Sequence, residues 1–520
     1  MRIPRMSFHW KVLAWMLFGV VVGMGMRTFL AGPAFAGATF GAPEPGVSGL
    51  RLVAAKGPAA DAKSRGLVVG TRVTAVLSER GGADEQRQPL DSQAAFAAAV
   101  ARATNGDVLW LERADAAPIP LNLALDPGSP RARYLKPFQF VADLFMALLK
   151  MLIVPLILTS IVTGVAGVGA LADLKRLGSK TFIYYVLTSL LAVLLGQVIV
   201  TVMRPGVGAA LGLSPLVAGG MAPEASFIDV LKRMVPTNIF EALSQNGQML
   251  SVIFFALCFG VFITRTSAPH KERMTDFFES AYAVMITMAE GILQLLPYGV
   301  FALLVGTVAG TGLGVFKPLF LYMLTVLVAL VLHACVTLPM VLKFVGGISP
   351  RRWFQAMSPA LMTAFSTSSS SMTLPVTLDT VEKRGGVSNK IASFTLPLGA
   401  TINMDGTALY ECIGVIFLAQ YYQSTGQFEL SLGMQATVVV MALLASIGAA
   451  GIPSAGLVMM LTILTTLGLP VEGAALILAV DRPLDMLRTV VNVWSDSCGA
   501  AVIAASEGEL DFGGVTPAPR

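Results

Sequence analysis

Charge is scarce in this chain. Of 520 residues, 36 are Lys or Arg and 31 are Asp or Glu, 13% in all, against roughly 25% in ordinary soluble domains. So few charges cannot coat a soluble globule that is 55% hydrophobic, and the mean hydropathy of +0.73 agrees. A polytopic membrane protein is expected. The same numbers exclude disorder, a coiled coil and collagen. Cysteine is nearly absent: Cys258, Cys335, Cys412 and Cys498 all lie in apolar stretches, so no disulfide framework is implied. The three histidines, His9, His270 and His333, sit in unrelated places, which leaves a serine hydrolase without its base. A net charge of +5 in single residues and small clusters does not suit a nucleic-acid partner.

The charges are unevenly spread. Residues 51–135 hold 20 of the 67, or 24% of an 85-residue window, while the other 435 residues hold 47, or 11%. The window reads as a soluble domain and the rest as membrane.

The N-terminus carries Arg2, Arg5 and Lys11 before an apolar run from Val12 to about Leu30. A cleavable signal peptide has such a start, with Ala34-Phe35-Ala36 as its cleavage site. A retained helix fits better, because the run reaches the roughly 20 residues needed to span. Arg27 then sits near its outer end. Further apolar segments run over about 138–170, 180–204, 236–265, 275–311, 317–345, 389–421 and 469–505. Two shorter Ser/Gly/Pro-rich stretches lie at 355–381 and 432–463. Basic clusters mark short cytoplasmic loops: Lys175, Arg176 and Lys180; Arg265, Lys271 and Arg273; Arg351 and Arg352; Lys383, Arg384 and Lys390. Eight spans put all four clusters on one side only if 355–381 and 432–463 each re-enter and leave on the side they came from. Such paired interruptions suggest inverted repeats, 355–421 and 432–505, and point to a transporter's binding site.

Segment 469–505 contains Asp481, Asp485, Arg488, Thr489, Asn492 and Asp496. Spacings of 4, 3, 4 and 4 put Asp481, Asp485, Arg488, Asn492 and Asp496 on one narrow helical stripe. Each intramembrane charge costs about 2.5–3.5 kcal/mol, so the stripe must face protein or water. The bland reading is a structural Asp485–Arg488 ion pair. Segment 389–421 adds Asn403-Met404-Asp405-Gly406-Thr407 and Glu411. Gly406 should loosen the helix and free carbonyl oxygens, which with Asn403 and Asp405 suit a hard cation such as Na⁺. Tyr185, Thr188 and Ser189 form one oxygen-bearing face; alone, the trio reads as ordinary helix packing. Asp405, Glu411, Asp481, Asp485 and Asp496 against Arg488 leave a formal charge of −4. Such a lining calls for cations or protons. Arg488 suits a substrate carboxylate and Asp485 an amine. The tip Ser366-Thr367-Ser368-Ser369-Ser370-Ser371 offers hydroxyls and free N–H groups to a carboxylate.

These residues carry a family likeness. Ser368–Pro375, Asn403–Thr407, Ser446–Pro453 and Asp485–Asn492 resemble the dicarboxylate/amino acid:cation symporters, which include the glutamate/aspartate and excitatory amino acid transporters. The resemblance covers about 10–30 and 135–505. It implies an α-helical polytopic fold of eight transmembrane helices plus two re-entrant hairpins, assembled as a homotrimer whose transport domain moves like an elevator. By position, Arg488 would hold the substrate side-chain carboxylate and Asp485 its amine. Asn492, Thr489, Thr407 and Ser370 would complete the pocket, with Ile452 and Gly456 closing it. One Na⁺ would use Asp496 with carbonyls of Gly399, Asn403 and Asn492. A second would use carbonyls of Thr401, Ser446, Ile447 and Ala449. A third would use Tyr185, Thr188, Ser189, Asn403 and Asp405. Glu411 matches a glutamate of proton-coupled members, which suggests H⁺ as a further coupling ion. Having both Arg488 and Asp485 favours aspartate or glutamate over neutral amino acids or C4-dicarboxylates. One departure stands out: the family usually has a second arginine before the serine triplet or after the substrate-binding aspartate, and here those positions are Ser368 and Met486.

The insert at 31–135 replaces a shorter family loop and resembles a PDZ domain over about 45–126. Strands are expected at Leu50–Ala54, Arg72–Leu77 and Val108–Glu112, with a helix at Ser92–Ala103. Ser48-Gly49-Leu50-Arg51 would form its carboxylate-binding loop. Capture of a peptide or protein C-terminus follows; a structural cap on the trimer is equally compatible. The expected division is a first helix over 1–30, the insert, helices 2–6 over 136–350, a transport core over 351–508 and a tail over 509–520. The chain is expected in a bacterial inner (plasma) membrane, termini cytoplasmic and insert outside. The expected activity is secondary-active symport of acidic amino acids rather than enzymatic catalysis. The alternatives are a C4-dicarboxylate or neutral amino acid carrier, or a transporter-derived receptor signalling through the insert.

Overall fold

The computed structural model describes residues 8–512 except 46, 66, 79–85, 104, 106, 114–115, 117, 170–174, 210, 212, 214–233, 245–247, 426–427 and 449–454. Long helices dominate it. Five described stretches are long and apolar enough to cross a membrane: Lys11–Phe29, Pro130–Ala166, Arg176–Met203, Leu296–Phe344 and Asn389–Ser424. The Met249–Arg265 helix is apolar but short, with 17 residues. The Glu472–Glu507 helix carries the charged stripe. The expected 275–311 segment is two helices, Ala268–Leu293 and Leu296–Thr311. Pro297 at the start of the second explains the interruption, because its missing N–H cannot continue the first.

The first helix, Phe8–Phe29, packs along Leu296–Thr311. Gly19 and Gly23, spaced by four, let the backbones approach: a Cβ on Gly19 would lie 2.9 Å from the Phe301 carbonyl, and one on Gly23 2.9 Å from Val308 Cβ. Arg27 Nη1 donates to the Gly310 carbonyl at 2.7 Å. Arg131, at the start of the Pro130–Gly169 helix, donates to the carbonyls of Arg27, Leu30, Gly32 and Ala309 at 2.9–3.3 Å. It thus ties the carbonyl end of the first helix to its neighbours, satisfying groups a helix terminus otherwise leaves bare.

The Asp405–Ser424 helix is the centre of the fold, buried at every position from Asp405 to Tyr422. A helix apolar all round belongs inside a larger bundle. Of two helix pairs, one packs on the last helix, Glu472–Glu507, and the other on Asp405–Ser424. Pro350–Thr367 and Ser370–Lys383 pack on each other across a tip at Ser368, which takes a left-handed φ of 51°. Ser369 caps the second helix, its Oγ accepting from the Met372 N–H at 3.2 Å. Leu432–Gly448 packs on Ala455–Thr466 in the same way. The tip between them, with Ala449 and Ile452, falls outside the described residues.

At one end of the bundle, Lys180 reaches Glu507 at 2.5 Å, Arg176 joins the same carboxylate, and Lys390 meets Glu509 at 2.9 Å. Two of the four basic clusters therefore converge at the C-terminal end of the last helix. Hydrogen bonds from Ser388 and then Lys390 hold the Glu509 carboxyl below its usual range.

The insert is closed at its neck by strands β1 (Ala34–Phe35) and β9 (Ala124–Leu125), which pair antiparallel. Above the neck, β2 (Ala38–Phe40), β3 (Leu50–Ala55) and β4 (Arg72–Val73) form one sheet. β5 (Ala75–Ser78), β6 (Gln86–Pro89), β7 (Val108–Glu112) and β8 (Ile119–Asn122) form another in the order β6-β5-β7-β8. The helix Gln93–Arg102 is capped by Ser92 Oγ at 3.1 Å from the Ala95 N. Phe96 stacks edge-on to Phe40 at 4.9 Å in a core with Leu50, Leu52, Leu109 and Leu121. The expected single strand Arg72–Leu77 is two, because the chain changes sheets at Thr74. Leu50 is buried and pairs with Val73. A Cβ on Gly49 would lie 2.4 Å from the Val73 carbonyl. Leu50 is thus packed into the sheet, Gly49 lies close against the neighbouring strand, and Ser48 and Arg51 are exposed.

Candidate functional site

The expected loosening at Gly406 falls two residues earlier. The Asn389–Ile402 helix ends and Asp405–Ser424 begins across Asn403 (φ −99°, ψ 79°) and Met404 (φ −111°, ψ 60°). Gly406 has a different task. Its N–H donates to Asn492 Oδ1 at 2.8 Å, and a Cβ there would lie 2.7 Å from the Arg488 carbonyl. Only glycine lets the break press against the last helix.

Polar side chains gather around this break in two groups. In the first, Asp405 is fully buried and accepts from Ser189 Oγ at 2.6 Å and Ser495 Oγ at 2.7 Å, and its Oδ2 lies 3.1 Å from His333 Nε2. Thr188 Oγ1 donates to Asn403 Oδ1 at 3.3 Å. Asn403 Nδ2 donates to Asp496 Oδ1 at 2.9 Å and Ser495 Oγ at 3.0 Å. Tyr185 donates to the Thr395 carbonyl at 2.8 Å. At Gly399 a Cβ would fall 2.5 Å from Asp496 Oδ1 and 2.7 Å from Tyr185 Oη. The trio that reads as plain packing by itself thus meets Asn403, Asp405, Gly399 and Asp496 in one buried, oxygen-rich knot. Among the described residues, no three His, Cys, Asp or Glu side chains form a metal-ligand group. Carboxylates, amides, hydroxyls and freed carbonyls instead suit a hard monovalent cation. His333 and Ser495 escape sequence reading. His333 sits in a π-turn, His333–Thr337, that interrupts an apolar helix, a common mark of functional sites.

The second group is on the last helix itself. Arg488, 1% exposed, donates through Nη2 to Asp485 Oδ1 at 2.7 Å and to Asp481 Oδ1 at 3.1 Å. Its guanidinium lies over the Tyr410 ring, 3.7 Å from the centroid. Its Nε and Nη1 are buried and make no hydrogen bond among the described residues. Nη1 faces Gly456, where a Cβ would lie 2.6 Å from it and 2.9 Å from Thr407 Cγ2. Asn492 bridges inward, Nδ2 donating to Thr407 Oγ1 at 3.2 Å. Thr489 Oγ1 donates to the Asp485 carbonyl at 2.9 Å. One side of Arg488 is thus neutralised and the other points, unpaired, at a glycine. A buried donor edge left open in this way is costly unless something fills it.

Arg482, missing from the charge count above, donates through Nη1 to Asp485 Oδ2 at 3.1 Å and is also buried. It brings the formal balance of the lining from −4 to −3. Its signal was present, a second arginine one residue after Asp481. Ser370 opens its helix, which packs on the last helix, and it makes no hydrogen bond to the arginine cluster among the described residues. Thr401 Oγ1 donates to Leu398 O at 2.9 Å and Ser446 Oγ to Leu443 O at 2.8 Å, both within their own helices. Of the second cation set, Ala449 lies outside the described residues and the Ile447 side chain is not described; Ile452, expected to close the pocket, also lies outside them. Glu411, one turn beyond Thr407, is fully buried with both carboxylate oxygens unbonded.

The Sodium:dicarboxylate symporter family profile matches residues 130–506. Excitatory amino acid transporter 4 of Mus musculus is 35% identical over 473 residues, covering 76% of this chain and 82% of its own length. Excitatory amino acid transporter 3 of Homo sapiens is 34% identical, covering 70% and 78%. The proton/sodium-glutamate symport protein of Bacillus caldotenax is 34% identical, covering 74% and 90%. The family consists of transporters, not enzymes, and the matched region begins near the end of the insert, at residue 130. The chain belongs to the sodium:dicarboxylate symporter family.

Proposed function

We propose that this protein is a secondary-active symporter that carries aspartate or glutamate across a membrane with Na⁺, and with H⁺ through Glu411. The observation that carries the reading is Arg488, paired on one edge by Asp481 and Asp485 and bare on the other toward Gly456. A carboxylate meeting the bare Nη1 makes a charge-assisted hydrogen bond, which becomes bidentate where Nη2 releases one of its aspartates. Asp485, released in part, then receives the ammonium. In this reading Thr407, Asn492, Thr489 and Ser370 would line the same pocket, with Gly456, which faces Nη1, at its cover; Ile452 would join it there. Family membership supports Na⁺ as the driving ion, as do relatives named for sodium-glutamate symport and excitatory amino acid transport. The oxygen knot of Tyr185, Thr188, Ser189, Asn403, Asp405, Gly399 and Asp496 is where two of the cations would sit. Thr401, Ser446, Ile447 and Ala449 would hold another.

In this reading the chain has eight transmembrane helices and two re-entrant hairpins, 350–383 and 432–466, and works as a homotrimer with an elevator motion. The termini are cytoplasmic and the insert is outside. Convergence of Arg176, Lys180 and Lys390 on one end of the last helix supports that sidedness. The insert's mix of small sheets and one capped helix supports a PDZ-like module that meets a peptide or protein partner.

Counterflow of labelled aspartate in proteoliposomes distinguishes the carrier from a receptor of the same fold. Exchange is expected; tight binding with no flux would assign the chain to reception. Glu411→Gln tests the proton. A buried carboxylate without partners is costly to keep charged, and a proton removes that cost. The variant should transport with a markedly flatter pH profile than the wild type, and an unchanged profile would retire the proton step.

A further inference from the structure

Asp485 sits three residues from each of two arginines, and they are the only basic side chains of the last helix. Arg488 holds Oδ1 at 2.7 Å and Arg482 holds Oδ2 at 3.1 Å. With Asp481 on the other side of Arg488, two guanidinium groups face two carboxylates and the cluster is neutral. Without Arg482 it would carry one excess negative charge, and the ammonium of a ligand would be the cation that balances it. Arg482 already balances it. An ammonium arriving at Asp485 must share the carboxylate with Arg482 or displace it. A ligand that brings no ammonium leaves Asp485 paired all the same.

We propose that Arg482 is a specificity-determining residue, a built-in cation on Asp485 that lets the pocket accept an amine-less C4-dicarboxylate alongside an acidic amino acid. The inference rests on the reading of Asp485 as the ammonium acceptor. A site whose buried polar group is orphaned by an analogue rejects that analogue by about 10⁴-fold or more. Here succinate orphans nothing on Asp485, while one of its carboxylates still meets the open side of Arg488 and the other is left to the serine-rich tip. The positions where the family usually keeps its second arginine are Ser368 and Met486, so Arg482 is the guanidinium at hand.

The test is competition by succinate against labelled aspartate bound to the full-length protein in detergent at fixed sodium. For the wild type, the two affinities should differ by less than about a hundredfold, against the far larger ratio an orphaned carboxylate gives. Arg482→Gln should tighten aspartate, weaken succinate and raise their ratio at least about tenfold, the effect of one hydrogen-bonded charge. Arg482→Lys keeps the cation and should stay near the wild-type ratio. A wild type that already rejects succinate by 10⁴-fold overturns the proposal even where the glutamine variant does not fold. A ratio that Arg482→Gln leaves unchanged overturns it while the acidic amino acid reading stands. A wild type that binds neither compound with sodium present removes both.

Discussion

Arg488→Ala removes aspartate binding from this protein, raising Kd by about 10² to 10³-fold or more. The magnitude follows from what the arginine leaves behind. It is 1% exposed, bonded to both Asp481 and Asp485, and stacked on Tyr410. Its loss strands the buried Asp481 carboxylate and leaves Asp485 to Arg482, and removing one member of a buried ion pair costs about 3–5 kcal/mol. It also takes away the unbonded Nη1 turned toward Gly456, the donor that would meet a ligand carboxylate. Arg488→Lys restores the charge but not the fork, so it should recover little. Calorimetric titration of aspartate into the purified variant measures the effect. Affinity within a few-fold of wild type would mean that the carboxylate is held elsewhere.

Asp405→Asn weakens sodium more than substrate. The carboxylate receives Ser189 and Ser495 and lies against His333 with no exposure to solvent. An asparagine keeps the shape and one acceptor, but it loses the charge that a desolvated cation needs. Charge-assisted bonds are worth about 1.5–3 kcal/mol each, so the half-saturating sodium concentration should rise about ten- to a hundredfold. At saturating sodium, aspartate affinity should return to near the wild-type value. A loss of aspartate binding that no sodium concentration restores would place Asp405 in the substrate pocket instead.

Much of this arrangement was legible in the amino-acid sequence. The stripe Asp481, Asp485, Arg488, Asn492 and Asp496 needs only the period of a helix and the cost of charge in an apolar segment. The interruption after Thr367 follows from hydroxyl residues in an otherwise apolar run. Three things were not legible, each for a physical reason. The break at Asn403–Met404 lies upstream of Gly406, because glycine is needed for close approach to the Arg488 backbone rather than for the loss of helix. His333 joins Asp405 across 72 residues, and no local spacing encodes a contact between distant helices. Arg131 ties four carbonyls from three segments, but in sequence it is one of several scattered charges beside the insert. Arg482 is the opposite case. It stood in plain view beside Asp481, and its importance lies only in the direction it turns.

The central claim is that a sodium gradient drives an acidic amino acid through this chain. Uptake of labelled L-aspartate into proteoliposomes, with sodium outside and potassium inside, measures it directly. Accumulation above the external concentration is expected, collapsing when choline replaces sodium and in the Arg488→Ala protein. Uptake of equal size without sodium, or aspartate binding without any accumulation, would contradict it.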